Sequence, residues 1–163
     1  MTLRAELARL AVAAAVGIAL GVGAYTFMYA KGYSYLGHDA AACANCHVMN
    51  PQYAGWQVAS HRAVATCNDC HAPDGLIGKY WVKARNGFWH SFYFTTGAFR
   101  EPIRITPGNR AVTEQRCRDC HAAIVSALFG AAHWPEETAA GLVDRPAEDG
   151  ISCIRCHRSV GHI

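Results

Sequence analysis

The sequence predicts a mostly α-helical and irregular protein with one N-terminal transmembrane helix and a small cysteine-rich domain after it. Three observations support this fold class: a run of 21 residues without a charged side chain near the N-terminus, eight cysteines that all follow it, and no segment with β-strand alternation. A hydrophobic content of 52% argues against a disordered chain. A net charge of only +3 argues against nucleic-acid binding.

The uncharged run covers residues 10–30. Crossing a bilayer takes about 20 apolar residues, so this run is long enough to span it. Arg4 and Arg9 precede the run and favour a cytoplasmic N-terminus. We therefore predict a cytoplasmic segment at 1–9, an inner-membrane anchor at 10–30, and a periplasmic domain at 31–163.

A cleaved signal peptide is the alternative interpretation of the same run. A signal peptide has an apolar region of about 7–15 residues that ends in small residues. This run is longer, and it ends in the bulky sequence Thr26–Ala30. These two features favour a retained anchor.

All eight cysteines belong to four C-x-x-C-H motifs. The cysteines are Cys43, Cys46, Cys67, Cys70, Cys117, Cys120, Cys153 and Cys156, and the histidines that follow are His47, His71, His121 and His157. Two thiols at this spacing form thioethers to the two vinyl groups of one porphyrin, and the histidine that follows binds its iron. The motifs therefore predict four covalently bound haem c groups.

Structural zinc and a disulfide framework are the two alternatives for these cysteines. Zinc sites use C-x-x-C pairs but do not require a histidine directly after each pair. A disulfide framework gives the four histidines no role. Both explanations are less economical than haem attachment.

The predicted domain is small for four haems. Residues 31–163 provide about 33 residues for each haem, so we expect a tetrahaem cytochrome c domain whose core is largely haem. The sequence Thr106–Asn109 predicts a turn, with Asn109 capping the helix that leads to the third motif. The acidic segment 134–150 predicts an exposed loop.

Haem iron needs axial ligands beyond the motif histidines. The histidines outside the motifs are His38, His61, His90, His133 and His162. We consider His61, His162 and His133 candidate iron ligands, whereas His38 is expected not to bind iron.

Met49 is the methionine nearest to a haem motif. It lies two residues after His47, so it can reach only the haem face on which His47 lies. As an iron ligand it would replace His47 and would not complement it.

The segment from Leu76 to Gly97 combines aromatic and basic residues. Seven of the 17 aromatic residues lie within it, and a helix places Lys79, Lys83 and His90 on one side. The segment could pack against porphyrin. It could equally lie at the membrane interface, with Lys83 and His90 facing a quinol pocket.

Three stretches of the sequence resemble a known family. They are C-A-N-C-H-V-M-N-P-Q-Y at 43–53, C-N-D-C-H-A-P at 67–73 and K-A-R-N-G-F-W-H at 83–90. They are similar to the NapC/NirT family of membrane-anchored tetrahaem quinol dehydrogenases, and within it to the small subunits of cytochrome c nitrite reductases. The resemblance covers almost the whole chain.

The resemblance implies roles for the first motif and the helix after the second. The first haem would oxidise menaquinol, with Met49 as its proximal ligand and Lys83 at the quinol pocket. Some members have an aspartate where this chain has His90, so His90 could bind the iron, accept a proton or shape the pocket. Lys83 and His90 are therefore the candidate catalytic residues.

The resemblance also implies the remaining ligands and the partner. His61 would bind the third haem and His162 the second, while the fourth would take a lysine of the partner or His133 of this chain. The partner would be the multihaem catalytic subunit of a periplasmic nitrite reductase, in a complex that could contain several copies of this chain.

Three other functions remain open from the residues alone. The protein could donate electrons to another periplasmic reductase, as NapC-like relatives do. It could be an electron-transfer module that never oxidises quinol. It could also be a terminal reductase, although no dense set of catalytic side chains surrounds one motif.

Overall fold

The computed structural model describes residues 3–129 and 152–162. These residues form helices joined by turns, and the described ranges contain no β-strand, which confirms the predicted fold class. Two compact units are present: one ends at Gly37 and the other begins at His38. His133 and the segment 134–150, predicted as an exposed loop, lie outside the described residues.

Helix α1, Leu3–Tyr29, forms most of the first unit. Its 27 residues are about 40 Å long, which exceeds the roughly 30 Å of a bilayer's hydrocarbon core. By length and composition it is a candidate membrane span, and none of its residues is buried. The helix begins seven residues before the uncharged run because Leu3–Arg9 also adopts helical structure. After Tyr29 the chain turns through Lys31, whose φ of 52° is left-handed, into a 3₁₀ helix at Gly32–Leu36.

The second unit consists of several short helices and one long helix. In chain order they are 3₁₀ helices at Ala40–Asn45 and His47–Met49, α2 at Asn50–Val58, α3 at Cys67–His71, α4 at Leu76–Thr96, α5 at Pro107–Cys120, α6 at Ala122–Phe129 and α7 at Cys153–Cys156. Helix α4 confirms the helix predicted from the aromatic and basic segment. It ends where Gly97 adopts a left-handed φ of 70°, which favours glycine.

The turn predicted at Thr106–Asn109 is wrong. Thr106 is the N-cap of α5, and its hydroxyl accepts a hydrogen bond from the Asn109 N–H at 3.3 Å. Pro107 occupies the first helical position, where its missing N–H costs no helical hydrogen bond. Asn109 therefore lies inside the first turn and does not cap the helix. The same four residues satisfy the preferences of a turn and of a helix start.

Side chains of the protein itself form very little core. Among the described residues the buried hydrophobic side chains are Ala40, Ala72 and Val82. The buried charged ones are Lys83, Glu114 and Arg116. Most of the side-chain hydrogen bonds between separate segments of the second unit are made by α5.

Arg116 connects the helix of the third motif to that of the second. Its Nε donates to the backbone carbonyl of Asp69 at 3.0 Å, and its guanidinium also bonds Asp119 at 2.9 Å and Asp74. Burial alone would lower the pKa of Arg116, but the two carboxylates more than offset that effect and raise it. The charge therefore stays on Arg116 and fixes α5 against α3.

Glu114 connects the same helix to the fourth motif. Its carboxylate accepts hydrogen bonds from the Cys153 N–H at 2.8 Å, the Ile154 N–H at 3.3 Å and the Ser152 hydroxyl. A carboxylate at a helix N-terminus satisfies N–H groups that have no helical partner. Helix α5 thus holds α7, which contains Cys153 and Cys156.

Candidate haem centres

In the second, third and fourth motifs the two cysteines lie one helical turn apart, on α3, at the end of α5 and on α7. In the first motif Cys43 lies in the 3₁₀ helix Ala40–Asn45, and Cys46 follows it in extended backbone. Side chains three positions apart on a helix are neighbours on one face. No disulfide joins any two of the eight cysteines. This geometry fits the attachment of one porphyrin to each motif.

The four motifs follow one another in space in their sequence order. The Cys67 thiol donates a hydrogen bond to the sulfur of Cys43, which lowers the pKa of Cys43 to about 7. Burial raises the pKa of Cys70, with Asp69 and then Cys120 adding to the effect.

The third and fourth motifs show the same kind of proximity. Burial raises the pKa of Cys117 to about 11, and the largest contribution after burial comes from Cys153. Each motif therefore has the next one as an electrostatic neighbour.

Two imidazole rings face each other at the second motif. The ring centroids of His71 and His162 are 6.2 Å apart, and the ring planes differ by 15°. Imidazole nitrogen binds a metal at about 2 Å, so two rings that share one metal have centroids about 6 Å apart. Burial, and then His162, lowers the pKa of His71, which favours the neutral ring that binds a metal. This pair can hold one iron between its rings.

A second pair of rings lies at the third motif. The centroids of His61 and His121 are 6.0 Å apart, with the ring planes at 78°. The Nδ1 atom of His61 lies 3.1 Å from the backbone carbonyl of Val160. A carbonyl only accepts hydrogen bonds, so Nδ1 carries the proton and Nε2 is left to bind a metal. Both pairings match the assignments implied by the family resemblance, which stay predictions supported by this geometry.

The first motif has no such pair in the described part of the chain. No other histidine ring stacks on His47, whose side chain is exposed, and Met49 follows in the same 3₁₀ helix. The structure therefore places both candidates for the proximal iron ligand in one turn.

Lys83 is the most buried side chain of α4, at 3% exposure. Burial lowers the pKa of its ammonium group, the nearby Lys79 lowers it further, and Cys43 acts in the opposite direction. His90 lies seven residues later on the same side of α4, but its side chain is exposed. The structure thus brings Lys83, and not His90, into the buried surroundings of the first motif.

His38, expected not to bind iron, lies beside Lys79. The Lys79 Nζ approaches the two ring nitrogens of His38 at 2.8 and 3.2 Å. This contact lies at the surface near α4 and the first motif.

A cavity of about 550 Å³ lies beside the fourth motif. Its lining includes the guanidinium groups of Arg110, Arg155 and Arg158. Arginine binds carboxylates in a bidentate manner, and the two propionates of a haem are carboxylates. His157 makes no ring contact with another histidine within 3–129 and 152–162.

The described residues do not contain a group of three or more His, Cys, Asp or Glu side chains that converge on one point, as a structural zinc site would require. The repeated motif geometry and the two facing histidine pairs instead define a multihaem cytochrome c. Helix α1 adds, within the described residues, one helix suited by length and composition to a membrane.

Comparisons with known proteins agree with this class. Residues 4–163 match the model of the NapC/NirT cytochrome c family, N-terminal region. The cytochrome c-type protein NrfH of Wolinella succinogenes is 40% identical over 146 residues, which cover 89% of this chain and 80% of that protein. The cytochrome c nitrite reductase subunit NrfH of Nitratidesulfovibrio vulgaris is 29% identical over 121 residues, covering 74% and 65% of the two chains.

A solved structure is also similar. It is the crystal structure of the cytochrome c nitrite reductase NrfHA complex bound to the HQNO inhibitor, with a TM-score of 0.58 and 26% identity over 99% of this chain and 91% of the matched chain. The protein belongs to the NapC/NirT cytochrome c family, with covalently bound haem c and an N-terminal membrane anchor.

Several residues that shape these centres could not be recognised from sequence patterns. Glu114 and Arg116 act over more than 35 positions, so no local spacing reveals them. One local pattern was available. Thr66 and Asp69 form a capping box at the start of α3, and T-x-x-D is its sequence signature.

Proposed function

We propose that this protein is a membrane-anchored tetrahaem quinol dehydrogenase, which oxidises menaquinol and passes the electrons to the catalytic subunit of a periplasmic nitrite reductase. The observation that carries the proposal is the buried lysine of α4 beside the first of four consecutive attachment motifs. The names of the two NrfH relatives and of the NrfHA complex support the partner.

Four haems would be held by the eight motif cysteines, and each bound haem iron would accept and give up one electron at a time. The proposed iron ligands are His71 with His162 for the second haem and His121 with His61 for the third. Their support is the centroid distance of about 6 Å in each pair.

The ligands of the other two haems rest on the family resemblance. Met49 is proposed as the proximal ligand of the first haem in place of His47. For the fourth haem, His157 is proposed with either His133 or a lysine of the partner.

Lys83 is the proposed proton acceptor for menaquinol. A quinol loses two protons along with its two electrons, so a base must lie within hydrogen-bond reach of its hydroxyl groups. Burial lowers the pKa of Lys83, so a larger fraction of the amine is neutral at a given pH than for an exposed lysine. His90 is proposed to assist at the more exposed part of the same helix face.

Helices α1 and α4 provide the proposed access to the membrane. Arg4 and Arg9 favour a cytoplasmic N-terminus under the positive-inside rule, and the haem domain would then be periplasmic. The aromatic side chains of α4 are exposed, and exposed tryptophan and tyrosine side chains are typical of membrane interfaces. The exposed aromatic residues of α4 are Tyr80, Trp81, Phe88, Trp89, Phe92, Tyr93 and Phe94.

The decisive experiment compares Lys83→Met with Lys79→Met in the full-length holoprotein in liposomes. Lys79 lies one helical turn earlier and is less buried, so it controls for the loss of a charge on α4. We expect Lys83→Met to slow haem reduction by a menaquinol analogue about 100-fold, because a positioned base contributes about 10²–10⁴ in rate. Haem content and reduction by dithionite should be unchanged in both variants.

The pH dependence gives a second readout of the same variants. Lys83 accepts a proton only when neutral, so the rate should rise with pH towards its pKa, which lies below the ordinary value of 10.5. The Lys83→Met variant should lose this rise. Lys79→Met should retain it at a somewhat higher pH, because the charge of Lys79 helps to lower the pKa of Lys83.

The alternatives predict different results. A module that never oxidises quinol would show no quinol-linked haem reduction in the unaltered protein. A donor to another reductase would oxidise quinol normally but fail to reduce a nitrite reductase partner. A terminal reductase would consume nitrite or hydroxylamine without any partner. Equal quinol oxidation by the unaltered protein and Lys83→Met would refute the site assignment alone.

A further inference from the structure

The hydroxyl group of Thr113 contacts the histidine of the second motif. Its Oγ1 lies 3.3 Å from the Nδ1 of His71, and it donates a hydrogen bond to the backbone carbonyl of Asn109 at 3.1 Å. A hydroxyl has only one proton, and a carbonyl can only accept. The Asn109 carbonyl is the nearer of the two partners, and with its proton on that carbonyl the Thr113 oxygen presents a lone pair to His71.

This arrangement matches one tautomer of His71. In that tautomer Nδ1 carries the proton and donates it to Thr113, and Nε2 is the unprotonated nitrogen. An unprotonated ring nitrogen is the one that can bind a metal. Histidines that bind metals typically donate their other ring N–H in this way, and the acceptor orients the ring and strengthens the ligand.

We propose that Thr113 is a positioning residue for the second haem: its hydroxyl accepts the Nδ1–H of His71 and so sets the orientation and donor strength of that iron ligand. The proposal rests on the haem ligation set out under the proposed function. It goes beyond it, because it assigns control of one haem's redox equilibrium to a side chain that touches no haem iron.

The position of Thr113 connects two neighbouring centres. It lies on α5, the helix that also contains Cys117 and Cys120 of the third motif. The helix that attaches the third haem therefore orients a ligand of the second.

The C-terminal segment, in turn, contains a proposed ligand of the second haem and contacts a proposed ligand of the third. The Val160 carbonyl fixes the tautomer of His61, the proposed ligand of the third haem, and it lies two residues before His162, the proposed ligand of the second. The second and third centres thus share the elements that orient their ligands.

The expected effect follows from ligand strength. Loss of the hydrogen bond from Nδ1–H weakens electron donation by His71, which destabilises ferric iron relative to ferrous iron. Thr113→Val should therefore shift the midpoint potential of one haem to a more positive value and leave the other three in place. A change of about tenfold in the reduction equilibrium corresponds to about 59 mV for a one-electron couple.

The test is a spectroelectrochemical titration and EPR of the full-length holoprotein in detergent. Thr113→Ser retains the hydroxyl and should behave like the unaltered protein. Thr96→Val is the matched control, because the Thr96 hydroxyl also donates to a helical carbonyl four residues earlier, that of Phe92 at 2.8 Å, but contacts no histidine. It should leave all four potentials unchanged.

Unchanged potentials and unchanged EPR g values in Thr113→Val, with four haems bound, would overturn the proposal. An equal shift in Thr113→Ser would also overturn it. If Thr113→Val does not mature, pulsed EPR of the unaltered protein in H2O and D2O decides. The proposal requires an exchangeable Nδ1 proton on His71, and its absence would contradict the proposal.

A failure of the haem ligation itself gives a different pattern. If His162→Ala leaves every haem low-spin, the assignment of His162 is wrong whatever Thr113 does. If His162→Ala converts one haem but Thr113→Val has no effect, the ligation holds and the role of Thr113 is refuted.

Discussion

The surroundings of the second and third motifs differ from those of the first in where their side chains come from. His71 meets His162, and His61 meets His121, so each pair joins residues that are far apart in the sequence. At the first motif the candidate ligands His47 and Met49 belong to one turn, and no histidine from elsewhere in the described chain faces them.

This difference separates two kinds of haem centre. Two strong ligands on one iron leave no room for a substrate, which suits a centre that only relays electrons. A centre with ligands from one side leaves the other side accessible, which suits a centre that meets a substrate. In our proposal the first motif is the one that meets quinol, and the buried Lys83 is the base beside it.

The largest expected effect comes from removing a distant ligand. If His162 is the sixth ligand of the second haem as proposed, His162→Ala should convert that haem from low-spin to high-spin. EPR and the visible spectrum of the purified holoprotein measure the change, with His38→Ala as the control. His38 contacts Lys79 at the surface and should leave all four spectra unchanged. If every haem of His162→Ala stays low-spin, His162 is not an iron ligand, and the proposed difference between the second motif and the first is wrong.

A smaller effect is expected at the first motif. Met49→Leu, which nearly conserves volume, should change the spectrum and lower the potential of one haem while the other three remain as they are. Methionine ligation raises a haem potential relative to histidine, so a switch to His47 would lower it. A redox titration of the holoprotein measures this shift. If all four potentials stay the same, Met49 only packs and His47 is the proximal ligand.

Local patterns in the sequence predict the motifs and the two longest helices. The four motifs, α1 and α4 each follow from spacing or composition within about 25 residues, and the structure contains both helices. The start of α5 was misassigned because Thr106–Asn109 satisfies two local rules at once.

Contacts between distant parts of the chain were not predictable in this way. Thr113 contacts His71 across 42 positions, and Val160 contacts His61 across 99. Without the fold, a spare histidine can only be counted as a candidate, and nothing in the spacing tells which haem it meets. The groups that contact the Nδ1 atoms of these histidines are even harder to predict from the sequence. One of them is a backbone carbonyl, which any residue could provide.

The smallest expected effect concerns how firmly each region holds its motif. Glu114 and Asp39 perform the same task in different places: each carboxylate accepts a backbone N–H at the start of a helix that contains motif cysteines. Glu114 is buried at 4% exposure and accepts from two N–H groups and a hydroxyl, whereas Asp39 is exposed and accepts from Ala41 at 2.9 Å.

Replacing each carboxylate by its amide therefore tests the contrast directly. Glu114→Gln puts an amide N–H2 in place of one buried acceptor, which leaves a donor without a partner and should lower the free energy of unfolding by about 1–3 kcal/mol. Asp39→Asn should change it by less than about 0.5 kcal/mol, because asparagine caps a helix about as well as aspartate and water solvates the exposed site. Thermal unfolding of the two holoproteins, followed by circular dichroism, compares them under one condition. Equal losses in the two variants would mean that the fourth motif is held no more firmly than the first.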